Sequence, residues 1–406
     1  MKKYYQVKKI SIDFILNLIA SLISVGVAQL VLYPALAHLM TSEKYGELLT
    51  LMGIANTIGV AAGGSLNNTR LIVQEKYEEG HQKGDFSLVL LLLLSLAAIT
   101  SISVFTVVYK QSIMVTLLMT VFTILCLLRS YVSVEYRIFL NYKRILFSNV
   151  YVAVGNFLGI VFFALIKRED FWIIPFLFGE ILSFIYTFRT TVVLREPIKR
   201  TSLFQDVISK ETILLLSSIS ANVLTYLDRL LLLPLLGGVA VSCYTVASVF
   251  GKSLGILMAP MASVLLSYYA QKGFRMNRGL FWRVNLGTIF FGMFFALVSF
   301  FIAPFFTKIL YGPLFAEAKE YLFIANITAI VNVVANMTQP AVLKFAPTFW
   351  QLIIQCIYCI VYLVGGIFAI RVCGLWGFAI LALVASVIKI FMLYLLGSIF
   401  ILGEKE

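Results

Sequence analysis

The chain has 406 residues, of which 61% are hydrophobic and only 13% are charged. A soluble globular domain does not carry this much apolar surface, so the composition excludes that class and predicts a polytopic membrane protein. The formal net charge of +13 could suggest a nucleic-acid partner. The basic residues lie mainly between apolar runs, however, which is typical of membrane topology and of contact with anionic headgroups. We therefore expect membrane lipids, and not nucleic acid, as partners.

Long apolar runs without alternation, such as residues 86–108, exclude a strand barrel and predict an all-α bundle of transmembrane helices. With the N-terminus inside, lysine and arginine concentrate on one side of the membrane, so both termini are predicted to be cytoplasmic. We predict twelve spans, at residues 11–33, 47–67, 86–109, 112–134, 148–166, 171–190, 212–235, 240–268, 284–304, 319–340, 350–370 and 375–402.

Polar residues in the first two spans fall on one face of each helix. In span 1, Asp13 and Asn17 begin a stripe that continues at steps of three or four residues, and span 2 carries Asn56 beside a similar stripe. Such a stripe in a membrane helix faces the bundle interior or a water-filled cavity. The Gly63-Gly64 pair would loosen span 2 or allow a neighbouring helix to approach closely.

Spans 3 to 6 are mostly apolar but contain two ionisable residues within the predicted membrane depth. Arg129 in span 4 could either extend to the cytoplasmic interface or line a cavity, and its position allows both. Glu180 lies near the middle of span 6, where it must be neutral, paired or solvated by a cavity.

The segment 194–211 is the longest cytoplasmic connection and separates two groups of six spans. We predict an N-terminal lobe at 1–193, a linker with an amphipathic segment at 194–211, and a C-terminal lobe at 212–406.

The two lobes share a short sequence pattern. An apolar run ends in Pro34 in the first lobe and in Pro234 in the second, and Tyr45 and Tyr244 follow at similar distances. This match predicts a parallel repeat, with two pseudo-symmetric lobes around a central cavity.

Spans 7 and 8 hold Asp228, Arg229 and Lys252 at membrane depth, and Asn222 and Tyr226 lie nearby. Each ionisable side chain costs at least about 2.5 kcal/mol near a bilayer centre, so such residues indicate function. Asp228 and Arg229 point in different directions on a helix and need not pair. Asp228 could instead orient a base from another span or carry a coupling proton.

The charges within the spans contain more bases than acids: Arg129, Arg229, Lys252 and Lys389 against Glu180 and Asp228. A surplus of bases suits an anionic ligand such as phosphate or pyrophosphate. The two histidines, His38 and His81, have no ligand or triad companion nearby in the sequence. We therefore predict a transporter that is not an enzyme, with no catalytic residues, metal site or cofactor.

Four features of the sequence are similar to those of a known family. They are the twelve spans in two lobes, the run Tyr226-Leu-Asp-Arg-Leu-Leu-Leu-Leu-Pro234, the Gly237-Gly238 turn, and Tyr244-Thr-Val-Ala leading to Lys252. They resemble the polysaccharide flippases of the O-antigen or capsule (Wzx) type, whose superfamily also contains multidrug exporters and lipid II flippases. The segment Thr41-Ser-Glu-Lys-Tyr-Gly46 is similar as well.

This resemblance implies alternating access in the bacterial cytoplasmic (inner) membrane. The substrate would be an undecaprenyl-pyrophosphate-linked oligosaccharide, moved from the cytoplasmic to the outer leaflet by a monomer, with glycosyltransferases and a polysaccharide polymerase as partners. Arg229 and Lys252 would bind pyrophosphate or acidic sugars, and neutral polar stripes would meet sugar hydroxyls. The full predicted set is Asn17, Asn56, Arg129, Asn222, Tyr226, Arg229, Lys252 and Lys389 for substrate, and Asp13, Glu180 and Asp228 for coupling or charge pairing.

Two alternatives remain open. The first is a proton- or sodium-coupled exporter of small molecules or drugs with the same fold, in which Asp228 and Glu180 would be the coupling acids. The second is a non-transport scaffold of a glycan assembly complex.

Overall fold

The computed structural model describes residues 16, 19–20, 22–79, 84–166, 168–269 and 276–403. These residues form long helices joined by short turns, and no strand occurs among them. Ten segments of the described chain are long and apolar enough to cross a membrane. The chain is therefore an all-α, multi-pass membrane protein, as the composition predicts.

The first seven long helices cover the chain up to Thr225. They are α1 (Leu22–Leu39), α2 (Ser42–Glu79), α3 (Asp85–Val108), α4 (Ile113–Ile138), α5 (Tyr142–Ile166), α6 (Ile174–Thr190) and α7 (Phe204–Thr225). The helix α6 has 17 residues, which is the lower end of the length that spans a bilayer.

The remaining helices are α8 (Leu227–Tyr269), α9 (Arg278–Leu310), α10 (Gly312–Phe345), α11 (Thr348–Ile360) and α12 (Gly366–Gly403). A π-helical turn at Val361–Gly365 joins α11 to α12. Two of these helices are broken internally: α8 at Gly237, whose φ is +83°, and α12 at Cys373 and Gly374. A positive φ is readily adopted only by glycine, so Gly237 allows the chain to turn there.

These breaks lie where the sequence predicts the ends of spans. Gly237 separates predicted spans 7 and 8, and Gly374 separates predicted spans 11 and 12. One break was not predicted: Tyr226, between α7 and α8, has φ −108° and ψ 11°. Predicted span 7 at 212–235 is thus kinked in its middle, and α7 begins at Phe204, inside the predicted linker.

Close helix packing in the first part of the chain depends on small residues. A Cβ atom on Gly63 of α2 would lie 2.2 Å from the carbonyl oxygen of Leu127 on α4, whereas one on Gly64 would meet open space. Gly63 therefore allows α4 to approach α2 closely, which is one of the two roles predicted for the Gly63-Gly64 pair.

The described chain divides into two compact units. The first contains the residues up to Met40 together with Leu48–Leu227, and the second contains Thr41–Glu47 together with the chain from Asp228 onward. The helix α7 belongs to the first unit because Val207 is buried in the same apolar cluster as Leu66, Val73 and Phe86. The lobe boundaries drawn from the sequence at 193 and 211 stay a prediction.

Candidate functional site

The first unit contains two polar cavities that meet at Arg129. Each has a volume of about 290 Å³, and Val60 and Arg129 line both. Together they fall within the range of about 300–1,000 Å³ that is usual for small-molecule sites. We call them the outer and the inner cavity, following the predicted topology, in which Tyr33 is near the outer face and Arg137 near the cytoplasm.

The outer cavity is lined by α1, α2, α4, α5, α6 and the C-terminal end of α7. Most of its polar side chains are neutral, and these are Ser24, Gln29, Tyr33, Asn56, Asn156, Asn222 and Tyr226; the charged ones are Arg129 and Glu180. Tyr226 lies against α2, because a Cβ atom on Gly53 would be 3.0 Å from its ring. The predicted substrate residues Asn56, Asn222 and Tyr226 are thus brought together in one cavity.

Arg129 and Glu180 form an ion pair where the two cavities meet. The Arg129 Nε donates to a Glu180 carboxylate oxygen at 2.7 Å, and the side chains are 25% and 5% exposed. Arg129 therefore lines a cavity, which is one of the two roles the sequence allows. The pair is electrically neutral overall, so this junction presents hydrogen-bonding groups without a net charge.

The inner cavity is lined by amides and hydroxyls around Arg137. The Arg137 guanidinium donates to the Oδ1 atoms of Asn67 and Asn68, at 2.7 and 3.2 Å. The Asn67 amide in turn donates to Ser133 Oγ at 2.8 Å. No carboxylate pairs with Arg137 in the part of the chain that the structure describes. A guanidinium held by neutral amides in a cavity can bind an anion.

Arg137 is not among the residues predicted for the site, because a base at the cytoplasmic end of a span is explained by membrane topology alone. A signal was nevertheless present: Arg129, Ser133 and Arg137 follow each other at steps of four residues, which places them along one side of α4. The sequence predicts nearly uncharged polar stripes in spans 1 and 2. The α1 and α2 residues that line the two cavities are neutral, and the arginines come from α4.

In the second unit, Asp228 pairs with the Lys252 side chain and accepts a hydrogen bond from the backbone of the adjacent Arg229. The Lys252 Nζ donates to Asp228 Oδ2 at 2.9 Å, and the Arg229 backbone N–H donates to Oδ1 at 2.9 Å. The pairing of Asp228 with a base from another span was one of the predicted roles. Asp228 is buried, whereas 42% of the Lys252 side chain is exposed.

Lys389 lies in a polar cluster of the second unit. Its Nζ donates to Asn336 Oδ1 at 3.1 Å and lies 5.3 Å from the centre of the Tyr358 ring, which is a cation–π distance. Nearby, Asn332 donates to Ser386 at 2.8 Å. Of the predicted residues, Asp13 and Asn17 lie outside the described residues.

Solved structures with the same fold are transporters and flippases. The lipid II flippase MurJ in an inward closed conformation has a TM-score of 0.69 and 14% identity, covering 96% of this chain and 86% of that chain. A mutant of the Vibrio cholerae MATE transporter VcmN has a TM-score of 0.63 and 15% identity, covering 98% and 97%. An outward-facing multidrug resistance MATE transporter of the MOP superfamily has a TM-score of 0.59 and 14% identity, covering 97% and 96%.

No protein-family model and no curated protein matches the sequence. The identities to the solved structures are low, and what these structures share with the chain is the arrangement of helices over almost its full length. The chain has the fold of the MATE transporters and of the lipid II flippase MurJ.

Proposed function

We propose that the chain is a flippase that moves undecaprenyl-pyrophosphate-linked oligosaccharide repeat units from the cytoplasmic to the outer leaflet by alternating access. It would serve surface polysaccharide assembly in a bacterial cytoplasmic membrane, with both termini in the cytoplasm. The observation that carries the proposal is the pair of joined cavities in the first unit, whose lining is rich in amides and hydroxyls. Such groups match the many hydroxyls of a sugar chain.

Neutral and charged residues would then have different roles. Asn56, Asn222 and Tyr226 would bind sugar, since they share one cavity. Lys252 would bind the pyrophosphate: its ammonium already contacts Asp228, and its partial exposure lets a phosphate oxygen compete for the same donor. Arg229 would act beside it.

Transport changes no covalent bond, so the proposed activity is not enzymatic and uses no cofactor. The substrate would be made by glycosyltransferases on the cytoplasmic side and used by a polysaccharide polymerase on the other. We propose that the flippase acts as a monomer, with membrane lipids as its other partners.

A second candidate is a cation-coupled exporter of small molecules or drugs, and the MATE fold favours it. The acids predicted to couple such an exporter are Glu180 and Asp228. In the structure, Glu180 faces Arg129 and Asp228 faces Lys252. Drug susceptibility of a deletion strain separates the two candidates, because a saccharide flippase predicts lost surface polysaccharide with an unchanged drug profile.

The direct test is translocation in liposomes. Purified protein is reconstituted with a fluorescent undecaprenyl-pyrophosphate saccharide, and movement between leaflets is followed with an impermeant quencher. We expect faster movement than in protein-free liposomes. Equal rates in the two preparations would refute the flippase proposal and leave the exporter or a scaffold of the glycan assembly complex.

The residue test is Lys252→Ala in cells, with Lys344→Ala as the control. Lys344 is an exposed base at the end of α10 and undergoes the same charge change. Loss of a charge-assisted hydrogen bond of about 1.5–3 kcal/mol predicts a loss of transport of roughly 10- to 100-fold. We expect surface polysaccharide to be lost while the amount of protein in the membrane stays normal.

Lys252→Ala also leaves Asp228 without its partner, so a neutral pair is needed to separate binding from stability. The double variant Asp228→Asn/Lys252→Met removes both charges together. We expect it to remain inactive, since the base for the phosphate is missing. Recovery of polysaccharide in this variant would show that Lys252 only balances Asp228.

A further inference from the structure

Glu211 is a buried carboxylate that no function described above uses. It lies on α7, and only 3% of the residue is exposed. Its two oxygens accept hydrogen bonds from Ser65 Oγ at 2.5 Å and from Thr69 Oγ1 at 2.7 Å. These hydroxyls are four residues apart on α2 and therefore lie on one face of that helix.

The charged groups on the elements around Glu211 have other partners. On α2, Arg70 pairs with Glu196 and donates to Tyr131 on α4, and Lys76 pairs with Asp206. On α7 itself, Lys210 also pairs with Asp206. On α3, Asp85 accepts hydrogen bonds from Tyr77 and Thr201. Among the described residues, Glu211 thus has hydroxyl partners and no counter-charge. Burying an acid without a basic partner costs folding stability, so the presence of Glu211 here indicates that its ionisation has a function.

The hydrogen bonds of Ser65 can accommodate Glu211 both when it is ionised and when it is protonated. Its hydroxyl lies 2.9 Å from the Ala62 carbonyl oxygen, to which it can donate, as well as 2.5 Å from Glu211. When Glu211 is ionised, Ser65 donates to the carboxylate. When Glu211 is protonated, its own O–H can donate to Ser65 Oγ while Ser65 donates to Ala62. Glu211 can therefore gain or lose a proton without leaving a buried hydrogen-bond donor unpaired.

The position of Glu211 links it to the wall of the outer cavity. Val207 and Glu211 are the buried residues of α7, and its other residues are half-buried or exposed. Glu211, Ser218 and Asn222 follow at helical steps on one face, and Asn222 lines the outer cavity. The distance from Glu211 to Asn222 is about 16 Å along the helix. A change at Glu211 thus acts on the helix that forms part of the cavity wall.

We propose that Glu211 binds the proton that couples transport to a proton gradient. The inference rests on the proposed transport function and names its coupling ion. A proton taken up on one side of the membrane would neutralise the carboxylate, alter the docking of α7 on α2, and leave on the other side. The described oxygens at the site are one carboxylate and two hydroxyls, which suffice for a proton and are few for a metal cation.

The test is Glu211→Gln in liposomes, compared under an imposed gradient of pH and without one. Glutamine keeps the shape and an acceptor oxygen but cannot be ionised. We expect the wild type to respond to the gradient, and Glu211→Gln to lose that response while it keeps translocation without a gradient. Glu211→Asp should restore the response, and Glu75→Gln, an exposed acid on α2, should leave it unchanged.

Two results would overturn the proposal in these experiments. One is a Glu211→Gln protein that still responds to the pH gradient, or whose lost response is to sodium alone. The other is a Glu211→Gln protein that loses translocation under all conditions together with thermal stability, because this is what a purely structural contact predicts.

A measurement that needs no substrate tests the proton site at Glu211 independently of the proposed saccharide transport. Infrared difference spectra of the purified protein, titrated between about pH 5 and 9, report the carbonyl band of a protonated buried carboxyl group. We expect a titrating band that is absent in Glu211→Gln and present in Glu75→Gln. If the wild type fails to move the saccharide but shows this band, the flippase proposal fails and the proton site stands. No such band overturns the proton site.

Discussion

Removal of the Glu180 carboxylate is expected to destabilise the first unit. Breaking a buried ion pair by removing one partner costs about 3–5 kcal/mol, because the other charge is left uncompensated. The Glu180 side chain is 5% exposed and the Arg129 side chain 25% exposed, and the guanidinium borders two cavities of a size that water can enter, which lowers the cost of leaving it unpaired. Glu180→Gln also keeps an acceptor for Arg129, which retains about 1 kcal/mol. We therefore expect a loss of about 2–3 kcal/mol in the free energy of unfolding.

The measurement is equilibrium unfolding of the purified protein in mixed micelles. The matched control is Asp170→Asn, which removes the acid of an exposed pair whose atoms are 4.0 Å apart. Exposed pairs contribute about 0–1 kcal/mol, so this variant should be close to the wild type. The double variant Arg129→Gln/Glu180→Gln should recover most of the stability, since no unpaired charge remains.

Two results would refute this reasoning. If Glu180→Gln unfolds within about 0.5 kcal/mol of the wild type, the pair is solvated rather than buried. If the double variant loses the sum of the two single losses, Arg129 and Glu180 are not coupled and the hydrogen bond between them contributes little.

Two further predictions concern the inner cavity and its walls. Arg137→Gln should weaken binding of inorganic phosphate to the purified protein by roughly 10- to 100-fold, because Arg137 is the base that the inner cavity offers to an anion. Lys143→Gln, an exposed base on α5, should not weaken it. Equal binding by the wild type and Arg137→Gln would contradict the role of Arg137. Gly63→Ala should destabilise the protein by about 1–3 kcal/mol, since its Cβ would clash with the Leu127 carbonyl. Gly64→Ala should be neutral or stabilising, and equal effects of the two substitutions would contradict the packing shown for α2 and α4.

The helices could be predicted from sequence because the bilayer requires long apolar runs and satisfied backbone groups. The breaks at Gly237 and Gly374 were visible as well, since glycine is the residue that adopts a positive φ readily. The kink at Tyr226 has no such signal, and what the structure shows there is the Tyr226 ring packed against α2 at Gly53. A tyrosine in an apolar run gives no indication of a turn.

The pairing of charges was only partly predictable. Asp228 and Lys252 belong to neighbouring spans, so a pair between them was one of few possibilities. Arg129 and Glu180 lie on α4 and α6, and only the packing of these helices shows that they meet. Glu211 was placed in a cytoplasmic linker because polar residues precede it. The structure continues α7 through it, since Val207 packs in the apolar cluster of the first unit.

The charges at membrane depth therefore fall into two kinds with opposite expected consequences. Glu180 has a base as its partner, so removal of the Glu180 carboxylate should mainly lower the free energy of unfolding. Glu211 is held by two hydroxyls, with no opposite charge among the described residues. Holding a buried unpaired charge in place costs stability, so Glu211→Gln should leave the free energy of unfolding equal or higher while the coupling of transport falls. Losses of stability and transport that rise together in both Glu180→Gln and Glu211→Gln would contradict this division.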